Sequence, residues 1–131
     1  MQKLGGENRM DREILKSFLS VGEVFQNPQK GTSKIKSVND NNITYIRGSS
    51  QIQLPIYAFL SVINDFAGKK CSSKDLRNYM PEVFDSQNPK GRKGHSCNCT
   101  FLFRVAEKME IIENGIQGKG VYGNPYYVVF K

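Results

Sequence analysis

The sequence predicts an α+β domain: an N-terminal helix and short antiparallel strands, followed by three helices and a closing β-hairpin. Three observations carry this expectation. Apolar residues recur at helical spacing in four stretches, they alternate between turn clusters from Val24 to Leu54, and the C-terminus is rich in strand formers. A chain of 131 residues suits one well-cored domain, 1–131, divisible into a helix-plus-strands extension (1–53) and a body (54–131).

Ile14, Leu15, Phe18 and Leu19 share one face of a helix over residues 11–20, which Gly22 ends. From Val24 the pattern shortens. Ile43 alternates with Tyr45 and Ile52 with Leu54, and residues 39–42 form a turn cluster. The segment therefore reads as two to four short strands, with a hairpin centred on Asn41 and a bend at Gly48. Pro55 suits the first turn of the next helix, where its missing N–H is no loss. Ile56, Phe59, Leu60, Ile63 and Phe66 follow at helical spacing, and Gly68 closes the segment. Ser72 and Asp75 make an S-x-x-D capping box that opens a second helix, with Leu76, Tyr79 and Met80 on one side and Pro81 near its end. The polar stretch from Asp85 to Ser96 is a loop. Phe101, Leu102, Val105, Met109 and Ile112 then mark a third helix. Asn114-Gly115 is a turn dipeptide, Gly118, Gly120 and Gly123 a flexible loop, and residues 126–130 the closing strand of a hairpin.

No stretch approaches the roughly 18 apolar residues that a membrane span needs. The N-terminus mixes charges of both signs, so neither a span nor a secretory signal is expected. Three cysteines, Cys71, Cys97 and Cys99, cannot all pair within the chain, and a reduced, cytoplasmic protein is the expectation. The formal net charge of +7 resides in two segments. Residues 26–53 hold Lys30, Lys34, Lys36 and Arg47 against Asp40. Residues 86–131 hold Lys90, Arg92, Lys93, Arg104, Lys108, Lys119 and Lys131 against Glu107, Glu110 and Glu113. The other two segments are neutral, and clustering of this kind points to a polyanion-facing side.

The stretches PIYAFLSVINDFAG, SSKDLRNYMPEVF, CNCTFLFRVAEKM and EIIENGIQGKGVYGNPYYVVF follow the order helix, helix, helix, hairpin. Over residues 50–131 this resembles the winged-helix variety of the helix-turn-helix superfamily. The likeness is one of architecture, and the loop from Asp85 to Ser96 is longer than the customary tight turn. The resemblance implies that the third helix lies in the DNA major groove and the hairpin along a phosphate backbone or minor groove. Thr100, Arg104 and Lys108 repeat at i+4 and form a polar stripe on that helix. On this reading Arg104 pairs with guanine and Asn98 with adenine. Lys90, Arg92 and Lys93, the amides from Cys97 to Thr100, and Lys119 at the hairpin tip hold phosphates. Lys34, Lys36 and Arg47 belong to N-terminal strands that either extend this surface or cap the winged-helix core. The competing account of Arg104 and Lys108 is a solvated face paired with Glu107 or Glu110.

Other chemistries are less well supplied. Cys71, His95, Cys97 and Cys99 are four potential zinc ligands, but the cluster is H-x-C-x-C, and ligands two apart in a helix point away from each other. Buried cysteines packing under the third helix are the better account. A Cys97 nucleophile with His95 as base lacks a third group to orient the single histidine. Gly118, Gly120 and Gly123 spell G-x-G-x-x-G, yet Pro125 and a β-rich end deny the helix that a dinucleotide site requires. Asp85 and Glu82 make no paired carboxylate motif. The expected function is a sequence- or structure-selective duplex DNA-binding protein or specificity module, with no catalysis, cofactor or membrane partner. The alternative is a protein-interaction or dimerisation module of the same fold, with a homodimer or a larger protein as partner and its tyrosines as anchors.

Overall fold

The structure, a computed structural model, describes residues 10–88 and 94–131. Among these the chain forms five helices and two antiparallel sheets, a mixed α+β architecture. Helix α1 (Arg12–Ser17) begins at Asp11, whose carboxylate accepts from the Ile14 amide at 2.9 Å, and its Leu15 is buried. Strands β1 (Val24–Gln26), β2 (Thr32–Val38), β3 (Asn42–Arg47) and β4 (Ser50–Pro55) follow as a meander in the order β1-β2-β3-β4. The turn at residues 39–42 is made locally. The Asn39 side chain accepts from the amides of Asn41 and Asn42, both at 2.8 Å, an Asx turn that fixes the β2–β3 register.

Pro55 ends β4, and α2 (Ile56–Asp65) starts one residue later than expected, with Pro55 as its cap. The capping box at the second helix is present in full. The Asp75 amide donates to Ser72 Oγ at 3.0 Å, and the Ser72 amide donates to Asp75 Oδ2 at 2.9 Å, opening α3 (Ser73–Tyr79). Pro81 also opens a helix of its own, α4 (Pro81–Phe84), because a proline at the first helical position gives up no hydrogen bond. Helix α5 spans Cys97–Lys108, and Ile112 belongs to the strand after it.

The second sheet has the order β5-β7-β6, with β5 (Lys70–Ser72), β6 (Ile112–Gln117) and β7 (Tyr127–Phe130). Strand β5 is absent from the sequence reading. It is three residues long and exists by pairing with β7, as in Cys71 opposite Val128. The Asn114-Gly115 pair is not the hairpin turn. Both residues have positive φ, +60° and +72°, and they form a bulge inside β6, where the register shifts between Glu113 and Gln117. The chain reverses at residues 118–125 instead, where the Asn124 carbonyl accepts from the amides of Lys119, Gly120 and Val121 at 2.9–3.2 Å.

One contiguous set of buried side chains joins the meander to the helices. Ile35, Ile43, Tyr45, Ile52 and Leu54 form the inner face of the first sheet. Tyr45 stacks on Phe101 of α5, ring centroids 3.9 Å apart and planes 8° from parallel, and Phe25 meets the same ring edge-on at 5.7 Å. Seven of the twelve residues of α5 are buried, so this helix is the centre of the molecule, with β1 and β4 against one side and β6 and α3 against others. Among the described residues no helix is long and apolar enough to cross a membrane.

Candidate nucleic-acid interface

The position of α5 decides what its polar residues can do. Asn98 is 1% exposed. Its Oδ1 accepts from the Tyr45 hydroxyl at 2.8 Å, and its Nδ2 donates to the Val83 carbonyl at 3.0 Å and the Gln53 carbonyl at 3.2 Å. The amide is thus saturated inside the fold, tying β3, β4 and α4 to α5, which corrects the expectation that Asn98 faces an adenine. Burial also pushes the Tyr45 phenol well above its ordinary range, so it stays a donor at any ordinary pH.

Of the stripe of Thr100, Arg104 and Lys108, the two cations face the N-terminal elements. Arg104 Nε donates to the Gln26 carbonyl at 2.7 Å, and its Nη1 pairs with Glu107 at 2.7 Å. Lys108 Nζ reaches both the Phe18 carbonyl and the Glu23 carboxylate. Arg104 and Lys108 therefore act as clamps between α5 and the segment leading into β1, in place of the guanine contact expected of Arg104 and the DNA-facing stripe expected of both. The amides of Asn98 and Cys99 donate to the carbonyls of His95 and Ser96, at 2.9 and 3.1 Å, and are not open to phosphate either.

Lys34 and Lys36 are exposed on β2, where they alternate with buried Ser33 and Ile35 and so point away from α5; Lys36 Nζ donates to Gln51 at 2.6 Å. Lys90, Arg92 and Lys93 lie outside the described residues. Lys119 is exposed in the hairpin tip beside Gly120. Arg47 is different: it follows Tyr45 by two along β3, shares that inner face, and emerges at the end of the strand just before the Gly48 turn.

At that point a groove of about 900 Å³ opens between α3, the first turn of α5, the β3–β4 turn and the tip of the β6–β7 hairpin. Arg47, Lys74 and Arg77 line it, with Thr100 on the floor and Asp85 as the one carboxylate among the lining residues. Lys74 and Arg77 share a face of α3 through their i, i+3 spacing, while Ser73 and Leu76 turn inward. Among the described residues, none of the three cations makes a hydrogen bond or an ion pair, in contrast to Arg104 and Lys108. Sequence reasoning missed Lys74 and Arg77 because the segment from 54 to 85 is neutral overall. The signal that could have found them is their spacing on a helix whose start the capping box had already fixed.

A second groove, of about 670 Å³, lies between the β2–β3 turn, α2 and α4. Arg12 is balanced there by Asp40 and Glu82, and the remaining polar lining is mostly amides with exposed His95. That balance does not favour a polyanion.

The cysteines do not gather around a metal position. Among the described residues no three His, Cys, Asp or Glu side chains are placed to hold an ion. Cys71 and Cys99 are buried. The Cys99 thiol contacts the carbonyls of Ser73 and Phe84 at 3.8 Å, and burial pushes it up to about 12; burial raises the Cys71 thiol further. Comparison with protein-family models, with curated proteins and with solved structures finds no match to this chain.

Proposed function

We propose that the chain is a binding module for duplex DNA, and that it holds the phosphate backbone in the groove rimmed by Arg47, Lys74 and Arg77. The observation that carries this reading is that three cations without side-chain partners among the described residues line one groove, with Asp85 the one carboxylate among its lining residues. Desolvated or not, such a cluster repels itself and is favoured by an incoming polyanion, which also releases condensed counterions on binding. We propose further that residues 54–131 are a winged helix. The support is the element order α2, β5, α3, α4, α5, β6, β7, with the short α4 inserted between the second and third long helices, and the strand order β5-β7-β6, in which the hairpin pairs with the strand that leads into α3. In this reading docking departs from the usual one: the N-terminal sheet sheathes α5, and the groove between α3 and the hairpin meets the duplex.

Titration of a labelled random-sequence duplex at two salt concentrations tests this. Three phosphate contacts give a log–log salt slope near −2.7, a loss of roughly 40-fold in affinity between about 50 and 200 mM salt. Lys74→Ala and Arg77→Ala should each lower affinity at low salt and make the slope shallower by about 0.9. Affinity that ignores salt, or variants that bind like the parent, would overturn the proposal. Val121 and Tyr122 are exposed together at the hairpin tip, 54% and 105%, and favour the second reading, a protein-docking surface, under which partner binding is salt-insensitive.

A further inference from the structure

Tyr122 lies outside the core. Its side chain is fully exposed, and among the described residues its ring stacks on no other. Leaving an aromatic ring in water forfeits the stabilisation that burial gives it. The segment presenting it is nevertheless held firmly. Three amides converge on the Asn124 carbonyl, the Asn124 amide donates back to Val121 at 2.9 Å, and the backbone at Gly120 lies so close to the Tyr126 ring that a Cβ there would sit 2.3 Å from it. At Gly118 a Cβ would stand 2.1 Å from the Pro125 carbonyl oxygen. With φ of +89° and +71°, these two positions accept glycine alone without strain. The tip is therefore pre-organised, and it sets Tyr122 at the edge of the groove that Arg47, Lys74 and Arg77 line.

An aromatic face gains most from another π-face. A paired duplex presents phosphates and base edges; its base faces are covered by their neighbours in the stack. The groove's volume, about 900 Å³, lies within the range of pockets that enclose small molecules, and its opposite wall is cationic. We infer that the groove receives a nucleotide displaced from the stack, its base laid against Tyr122 and its phosphate held by Lys74 and Arg77. The site would thus take DNA containing an unpaired base in preference to a continuous duplex. This rests on the DNA-binding reading above and deepens it.

The test compares a labelled duplex with the same duplex carrying one unpaired 2-aminopurine nucleotide, by anisotropy and by the emission of that base. The bulged duplex should bind at least about fivefold more tightly, the lower end of what base–aromatic stacking supplies. Tyr122→Ala should bring the ratio of the two affinities to one, and Tyr122→Phe should restore it, with the emission change following the ratio. Arg77→Ala should weaken both duplexes and keep the ratio. A parent ratio of one, or a ratio that survives Tyr122→Ala, overturns the inference while DNA binding stands. Failure to bind either duplex overturns the DNA-binding reading itself.

Discussion

Two clusters of cations lie on neighbouring elements and have opposite fates. Arg104 and Lys108, on α5, close onto Gln26, Phe18, Glu23 and Glu107 and hold the N-terminal strands against the helix. Arg47, Lys74 and Arg77 converge on a groove and pair with nothing described. The difference teaches that a basic stripe at helical spacing is not by itself a recognition surface. What separates the two is whether carbonyls and carboxylates from distant parts of the chain arrive to neutralise the charge. At α5 they do, and the charge becomes structural.

Asn98→Ala should break the internal side of this comparison most severely. It leaves the buried Tyr45 hydroxyl without its acceptor and takes one donor from each of the Gln53 and Val83 carbonyls, of which Val83 keeps the His95 amide at 2.9 Å, at a cost of about 2–4 kcal/mol in urea denaturation. Gly118→Ala strikes the other side. A Cβ against the Pro125 carbonyl and a φ of +89° together should cost about 1–3 kcal/mol, and should lower DNA affinity by displacing the hairpin tip. Smaller again is Arg77→Ala, which should leave the denaturation midpoint unchanged and weaken duplex binding by about 1 kcal/mol at low salt. Its counterpart, Arg104→Ala, should do the reverse: a stability loss under about 1 kcal/mol, with the salt slope of binding unaltered. Thiol labelling near pH 8 sharpens the contrast without disturbing the fold. Cys97, half-buried beside the groove, should react first, whereas Cys71 and Cys99 should react only on unfolding, because burial keeps both protonated.

Much of this fold was legible in the sequence where the determinants are local. The Ser72–Asp75 box closes over three residues, and the Asn39 turn over two or three, so their residue types suffice to locate them. Asn114-Gly115 reads as a turn dipeptide, and both residues do take positive φ, but tertiary pairing places them in a bulge and leaves the reversal to residues 118–125. Strand β5 was illegible, since three residues carry too little pattern and their partner is β7. The site was the least legible part. The stripe on α5 was visible, while its partners lie 78 and 85 residues away in sequence, and no local rule announces that they will meet it. Lys74 and Arg77 were hidden by counting charge over whole segments when one face of α3 was the relevant unit.

The amide of Asn98 gives the molecule a property beyond its architecture. Because this side chain and one contiguous core join the meander to the helical body, unfolding should proceed as one cooperative event. A fragment beginning at residue 54 would keep every helix from α2 onward, yet it would expose the aromatic flank of Phe101 and lose the phenol that completes its polar centre. The meander thus supplies one wall of the core that α5 occupies, and the helical body cut away from it should not hold its native packing.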